Sequence, residues 1–404
     1  MIDGGDTAWL LISSALVLLM TLPALGLFYA GLVQAKNILS ILIQCIALTA
    51  LISLLWYAGA YSEAFSGHGA LIGDMDGAML AHLSRGAVHP GTHISESVFV
   101  MFQMTFAVIT PALMIGAYAE RMRFGPVLIF SGLWLVFVYA PVTHWVWGGG
   151  WLAARGVMDF AGGIVVHVTA GVSALMIAWM LGPREGYPRA LRPPHAPWMV
   201  MVGASLLWVG WFGFNAGSAL AAGADAGMTM LATHLSAATA TLTWIAIERI
   251  NFGKSSLVGA VTGSVAGLAA ITPASGYVGP TAAIVIGFTA SLVCYGAVLI
   301  VKRRLRVDDA LDVLGVHGVG GALGTLLLPF LVSFGPGGAA LSRPAFAQFL
   351  VQLAGVLSVA AWSAVATFII VKLIAIAVGL RVDQKVEIQG LDFALHGETG
   401  YNVD

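Results

Sequence analysis

The sequence predicts an all-α membrane protein of eleven transmembrane helices, with the N-terminus outside and the C-terminus inside. Three observations carry that prediction. Of 404 residues, 59% are hydrophobic and only 9% charged, with a mean hydropathy of +0.92; a soluble globular chain carries about 25% charged residues to cover its surface. Apolar stretches of about 20 residues, the length that crosses a bilayer core as a helix, recur along the whole chain. The basic residues also segregate: of the 18 Lys and Arg, only Arg85, Arg155 and Arg343 fall on one face of the eleven-span arrangement, and all the others fall on the opposite, cytoplasmic face. Dropping one span would scramble that split.

The apolar segments lie at roughly 8–33, 39–64, 94–119, 124–147, 159–182, 196–219, 227–247, 255–272, 279–301, 313–333 and 346–379. Most connections are short, and the longest, at about 65–93, is rich in Gly, His and Asp and reads as an exposed loop. No basic residue precedes the first apolar run, so the N-terminus is not read as a cleaved signal. The chain divides into a transmembrane domain over 1–380 and a polar cytoplasmic tail over 381–404. Odd-numbered helices run inward and even-numbered ones outward. This suggests five plus five plus one: helices one to five and six to ten form an inverted repeat, and the last helix is peripheral. The 50 glycines suit close packing of membrane helices. Cys45 and Cys294 sit in apolar runs and read as packing residues. The net charge of −1 gives no sign of a nucleic-acid partner.

Ionisable groups inside spans are expensive, about 2.5–3.5 kcal/mol for Asp at a helix centre, and two clusters stand out. Helix five carries Asp159 and, eight residues on and about 12 Å deeper, His167. Helix ten carries Asp312 and, five residues on and about 7.5 Å deeper, His317. Each half thus places an Asp near its own mouth and a His toward the midplane, as an inverted repeat would. Glycines flank both histidines: Gly162, Gly163 and Gly171 in one helix, Gly315, Gly318, Gly320, Gly321 and Gly324 in the other. They allow an approach close enough for the two imidazoles to hydrogen-bond; the alternative is that the glycines only pack helices. Trp147 ends helix four, Trp211, Phe214 and Ser218 lie toward the outer end of helix six, and Phe106 sits mid-span in helix three. Aromatic faces attract cations by about 0.5–2 kcal/mol, although an interfacial belt also accounts for Trp147 and Trp211. His234 reads as a packing histidine, and the histidines of the 65–93 region match no ligand spacing.

The stretches Asp159-Phe-Ala-Gly-Gly-Ile-Val-Val-His167, Leu-Asp312-Val-Leu-Gly-Val-His317-Gly-Val-Gly-Gly, Phe106-Ala-Val-Ile-Thr-Pro-Ala-Leu and Ile271-Thr-Pro-Ala-Ser-Gly resemble the Amt branch of the Amt/Mep/Rh ammonium transporter family. The likeness runs over essentially the whole chain. It implies a homotrimer in the cell (inner) membrane with one pore per subunit and no cofactor. It also implies an outer NH4+ site of Trp147, Phe106, Trp211 and Ser218 supported by Asp159, and a gate of Phe106 stacked on Phe214. The pore or proton pathway would run past the twin histidines His167 and His317, with Asp312 near the inner end. Ammonium, and methylammonium as its close analogue, would be the cargo. A passive NH3 or CO2 channel and an ammonium sensor that signals through a partner are the competing functions. No enzyme constellation is visible.

In the tail, Leu391, Phe393, Leu395 and Tyr401 supply apolar anchors, and Gly390 and Gly397 permit turns. The order Gly390-Leu-Asp392, then His396-Gly-Glu398, then Tyr401 resembles the Amt C-terminal region. The resemblance implies a docked regulatory segment that works with cytoplasmic PII signalling proteins. Gln389 and Gly400 depart from that pattern.

Overall fold

The computed structural model describes residues 1–190 and 192–401; positions 402–404 of the expected tail lie outside the described residues. Those described form helices and no strands, with two isolated bridges, Val88 with Ser95 and Met122 with Arg381. In chain order the helices are α1 Gly4–Leu32, α2 Ala35–Phe65, α3 Glu96–Tyr118, α4 Phe124–Ala154, α5 Gly163–Leu181, α6 Pro197–Gly217, α7 Ala224–Phe252, α8 Leu257–Ile271, α9 Pro280–Leu305, α10 Leu314–Leu331 and α11 Ala345–Ala377. All but α8 are long and apolar enough to cross a membrane. With 15 residues, α8 is about 22 Å long. Ser256 starts it, its hydroxyl accepting from the Gly259 N–H at 2.8 Å. It ends at Ile271, ahead of Thr272 and Pro273.

Several helices are irregular where they pass the centre. In α1, Leu22 leaves the helical region (φ −124°, ψ 106°) ahead of Pro23. A widened π-type turn carries His167 at Gly163–Val168 of α5, and another carries His317 at Leu314–Gly318 of α10. These two helices touch through glycine. A Cβ on Gly171 would collide with the Gly318 backbone, and one on Gly321 would sit 2.5 Å from the Gly163 carbonyl oxygen and 2.7 Å from His167 Cβ. α11 packs along α5 and α10.

The tail folds back onto the end of the bundle opposite the N-terminus. It forms α12, Gln384–Gln389, and a further turn, Asp392–His396. The Asp392 carboxylate accepts the Leu39 N–H at 3.0 Å and the Ser40 N–H at 2.8 Å, so it caps the start of α2. Asn37 Oδ1 accepts the Leu391 N–H at 2.9 Å. Lys36 Nζ donates to the carbonyls of Glu387 and Ile388, and Arg381 pairs with Glu387 at 2.7 Å.

Candidate functional site

The site is built on the loop that feeds α5. Its backbone is tied at nearly every residue. Gln348 donates to the Gly156 carbonyl at 2.9 Å, Gln352 grips both the N–H and the carbonyl of Met158, and the Phe160 N–H donates to the Pro273 carbonyl at 3.1 Å. The Asp159 carbonyl accepts the indole N–H of Trp147 at 2.8 Å. The buried Asp159 carboxylate accepts four backbone N–H groups, Gly162, Gly163, Ile164 and Val165, at 2.6–3.0 Å. It neutralises the donors that a helix start leaves free. The helix therefore begins at Gly163, after Gly162 in a left-handed conformation (φ +115°), and not at Asp159 as the apolar run suggests. Asp159 acts on its neighbours by holding α5 and Trp147.

From Trp147 a file of rings runs into the bundle. The Phe106 ring meets Trp147 edge-on at 6.0 Å and stacks on Phe214 at 4.3 Å. Phe214 lies 6.1 Å from His167, and Trp211 stacks on the same imidazole at 5.6 Å while its N–H donates to Thr272. His167 and His317 stack at 5.3 Å with planes 25° apart. Neither nitrogen of His167 and not Nδ1 of His317 has a hydrogen-bond partner among the described residues. The glycine contacts bring the two rings together as expected, and among the described residues no hydrogen bond joins them. Ser218 donates its hydroxyl to the Phe214 carbonyl at 2.8 Å, which leaves its oxygen lone pairs free to accept.

Two spaces meet at His317. A narrow one of about 10 Å³, lined by both histidines, Trp211, Phe214 and aliphatic side chains such as Leu207 and Val265, holds about one water-sized molecule. The other, of about 530 Å³, opens toward the tail and is lined by charged groups including Lys36, Glu120, Arg184, Lys302, Asp312 and Glu387.

The start of α10 repeats the geometry of the start of α5 with different residues. Asp309, buried and eight residues before His317, accepts the Leu314 N–H at 2.8 Å, just as Asp159, eight before His167, accepts Ile164. Asp312 corresponds to Gly162, and like it has positive φ (+62°). The spacing of five between Asp312 and His317 was therefore the wrong pairing; Asp309 is the matching carboxylate, and sequence reading missed it. Asp312 instead pairs with Lys302 at 2.7 Å at the edge of the large cavity. Burial and the neighbouring Asp312 push Asp309 up to about 6. Burial also raises Asp308, but Arg184, bonded to it through Nε and Nη2 at 2.9 Å, outweighs that and holds it below the usual range. Arg184 also pairs with Glu120 at 2.9 Å, and Glu120 accepts from Gln34 N–H and Asn37.

The tail residues lie apart from the ring file. Glu387 lines the large cavity, His396 meets Phe124 edge-on at 5.4 Å, and the Tyr401 hydroxyl is 3.3 Å from His195. Gly390 has φ +115°, and Glu398 is exposed. His234 lies exposed on α7 and packs beside the rings of Trp208 and Phe212. His89 of the long loop stacks on Phe99 at 3.5 Å and pairs with Glu96.

The sequence profile described as the Ammonium Transporter Family matches residues 8–401. An ammonium transporter of Mycobacterium tuberculosis is 42% identical over 99% of this chain and 91% of its own. The ammonium transporter Amt1 of Archaeoglobus fulgidus is 41% identical over 98% and 99%. Among solved structures, a sensor Amt protein superposes with a TM-score of 0.90 at 30% identity, covering 97% of this chain and 98% of that one. Mep2 of Saccharomyces cerevisiae superposes with a TM-score of 0.87 at 32% identity, over 95% and 90%.

Proposed function

The chain belongs to the ammonium transporter family, and we propose that it recruits NH4+ at an outer aromatic mouth, deprotonates it there and passes NH3 and the proton inward past His167 and His317. The ten long apolar helices among its described residues make it a multi-pass membrane protein. The observation that carries the reading is the unbroken file of rings from Trp147 to His317, which ends on the charged cavity.

A bare ammonium ion in a low-dielectric passage costs tens of kcal/mol in the Born limit. The faces of Trp147 and Phe106 and the free lone pairs of Ser218 replace part of its water shell. Desolvation favours the neutral partner of the pair, so the proton leaves near the Phe106–Phe214 stack. Behind the stack the space fits one small molecule, and apart from the two imidazoles its walls are mostly apolar; K+ and Na+ have no neutral form in which to enter. The unpartnered imidazole nitrogens can take up and hand on the proton, which rejoins NH3 in the inner cavity. Charge then crosses with each cycle.

In this reading the chain is a homotrimer in the cell membrane, with eleven spans, the N-terminus outside and residues 381–404 inside as a regulatory segment open to a PII-type protein. The test is an ammonium jump on purified protein in liposomes. Wild type should give an inward current, and His167→Ala with His317→Ala should abolish it or admit K+. A neutral flux without current would make the protein a passive channel, and absence of flux would leave a sensor.

A further inference from the structure

Gln348 and Gln352 are polar side chains inside the span α11, the helix outside the five-plus-five repeat. Gln352 is fully buried. Its carboxamide makes a two-point bond to a single residue: Oε1 accepts the Met158 N–H at 2.8 Å and Nε2 donates to the Met158 carbonyl at 2.6 Å. Gln348, one turn earlier, donates to Gly156 and to Gln352 Oε1, at 2.9 and 3.1 Å. One turn later, Gly355 lets Val157 and Ile164 close against α11. A single helix face thus fixes residues 156–158, and the next residue is Asp159. The Asp159 carbonyl holds the Trp147 indole, and its carboxylate holds the turn that carries His167.

We propose that Gln352 is a positioning residue for the outer cation site: by clamping the Met158 peptide it sets where Asp159 places Trp147 and the start of α5. This rests on the reading of Trp147 and Phe106 as that site. The amide is suited to the task because it offers one donor and one acceptor side by side, matching one N–H and one carbonyl. A leucine of similar volume would leave both Met158 groups unpaired in a buried place.

Glutamate at this position makes the clamp switchable. A neutral carboxyl has one donor and one acceptor and reproduces both bonds; an ionised one has only acceptors and repels the Met158 carbonyl. The experiment compares wild type, Gln352→Leu and Gln352→Glu in liposomes, with 19F spectra of fluorotryptophan-labelled protein in which Trp147→Phe identifies the Trp147 signal. In Gln352→Leu the KM for ammonium uptake should rise about tenfold, and the Trp147 signal should move while the melting temperature of the assembly persists. In Gln352→Glu both properties should be near wild type at low pH and shift together as pH rises. A merely structural role would not produce that shared titration. An unmoved Trp147 signal in Gln352→Leu, or a Gln352→Glu profile superimposable on wild type, overturns the proposal. Should wild type take up no ammonium, the transport reading falls, and the Trp147 signal still decides whether the clamp exists.

Discussion

Asp159 and Asp309 occupy equivalent places in α5 and α10 but do unequal work. Asp159 uses both oxygens on four N–H groups, whereas Asp309 accepts the Leu314 N–H on Oδ2 and its Oδ1 has no partner among the described residues. An amide at 159 would aim its NH2 at two N–H donors, so Asp159→Asn should lower thermal stability and uptake sharply; at 309 the amide oxygen can keep the one bond, so Asp309→Asn should retain both. The two also differ in pH behaviour. Asp309 keeps its proton to about 6 in the fold against an ordinary 3.8. The native state then binds more protons in that window, so this group favours folding most below 3.8, and its contribution falls as pH rises through about 6. Melting curves of detergent-solubilised protein from pH 4 to 7 should show wild type losing stability relative to Asp309→Asn over that range; parallel curves would mean that Asp309 ionises normally. The sequence held the clue to Asp309, because the interval of eight from Asp to His occurs in both halves. The run Asp308-Asp309-Ala-Leu-Asp312 offered three carboxylates, and proximity to His317 selected the wrong one. The two histidines were legible because an imidazole at mid-span is costly unless it lines a passage, and Phe106 because a mid-span ring lies outside any interfacial belt. Gln352 was not legible, because an uncharged amide raises no alarm in a search for ionisable groups.

At the scale of elements, hydrophobic runs located most of the apolar helices to within a few residues, since burial in lipid demands length and little else, though α4 runs seven residues past its apolar segment. They could not locate interruptions that depend on tertiary partners: the break at Leu22-Pro23, the π-type turns under both histidines, and the late start of α5. The tetrapeptide Ile-Thr-Pro-Ala, at 109–112 in α3 and 271–274 at the end of α8, is a trace of internal repetition that faint overall self-similarity concealed. The tail is the element whose docking depends most on single residues. Gly390 has φ +115°, and a Cβ there would press on Lys36, 2.7 Å from its Cβ. Gly390→Asp adds strain, that clash and a second carboxylate near Glu387, so it should detach α12 from Lys36 and the Asp392 cap from α2. Limited proteolysis should then cut the tail more than tenfold faster, and ammonium uptake should drop while the assembly stays intact; truncation after Val382 should give the same loss of uptake. Resistance to protease equal to wild type would show that the tail is not held by this turn.

The two ends of the whole molecule carry opposite charge. The end with the N-terminus has Asp3, Asp6, Glu63, Asp74, Asp76, Glu96, Asp159 and Asp225 against only Arg85, Arg155 and Arg343; the tail end holds the remaining bases in excess over its acids. The excesses nearly cancel, so the net charge of −1 conceals a dipole along the transport axis. In the proposed orientation, the positive excess at the tail end follows from insertion, which retains Lys and Arg on the cytoplasmic side. It does not explain the acidic excess at the other end, whose field would concentrate cations over the mouth proposed at Trp147 and Ser218. Such a field reaches about 30 Å at 0.01 M salt and about 8 Å at 0.15 M. The apparent KM for ammonium should therefore rise about two- to threefold between those ionic strengths, with the maximal rate little changed, because the stacked rings and the histidines lie beyond the reach of bulk ions. Asp76 and Asp225 are exposed. Neutralising both, Asp76→Asn with Asp225→Asn, should raise KM at low salt and flatten the dependence, and a slope equal to wild type would mean that ammonium reaches the mouth without help from the surface charge.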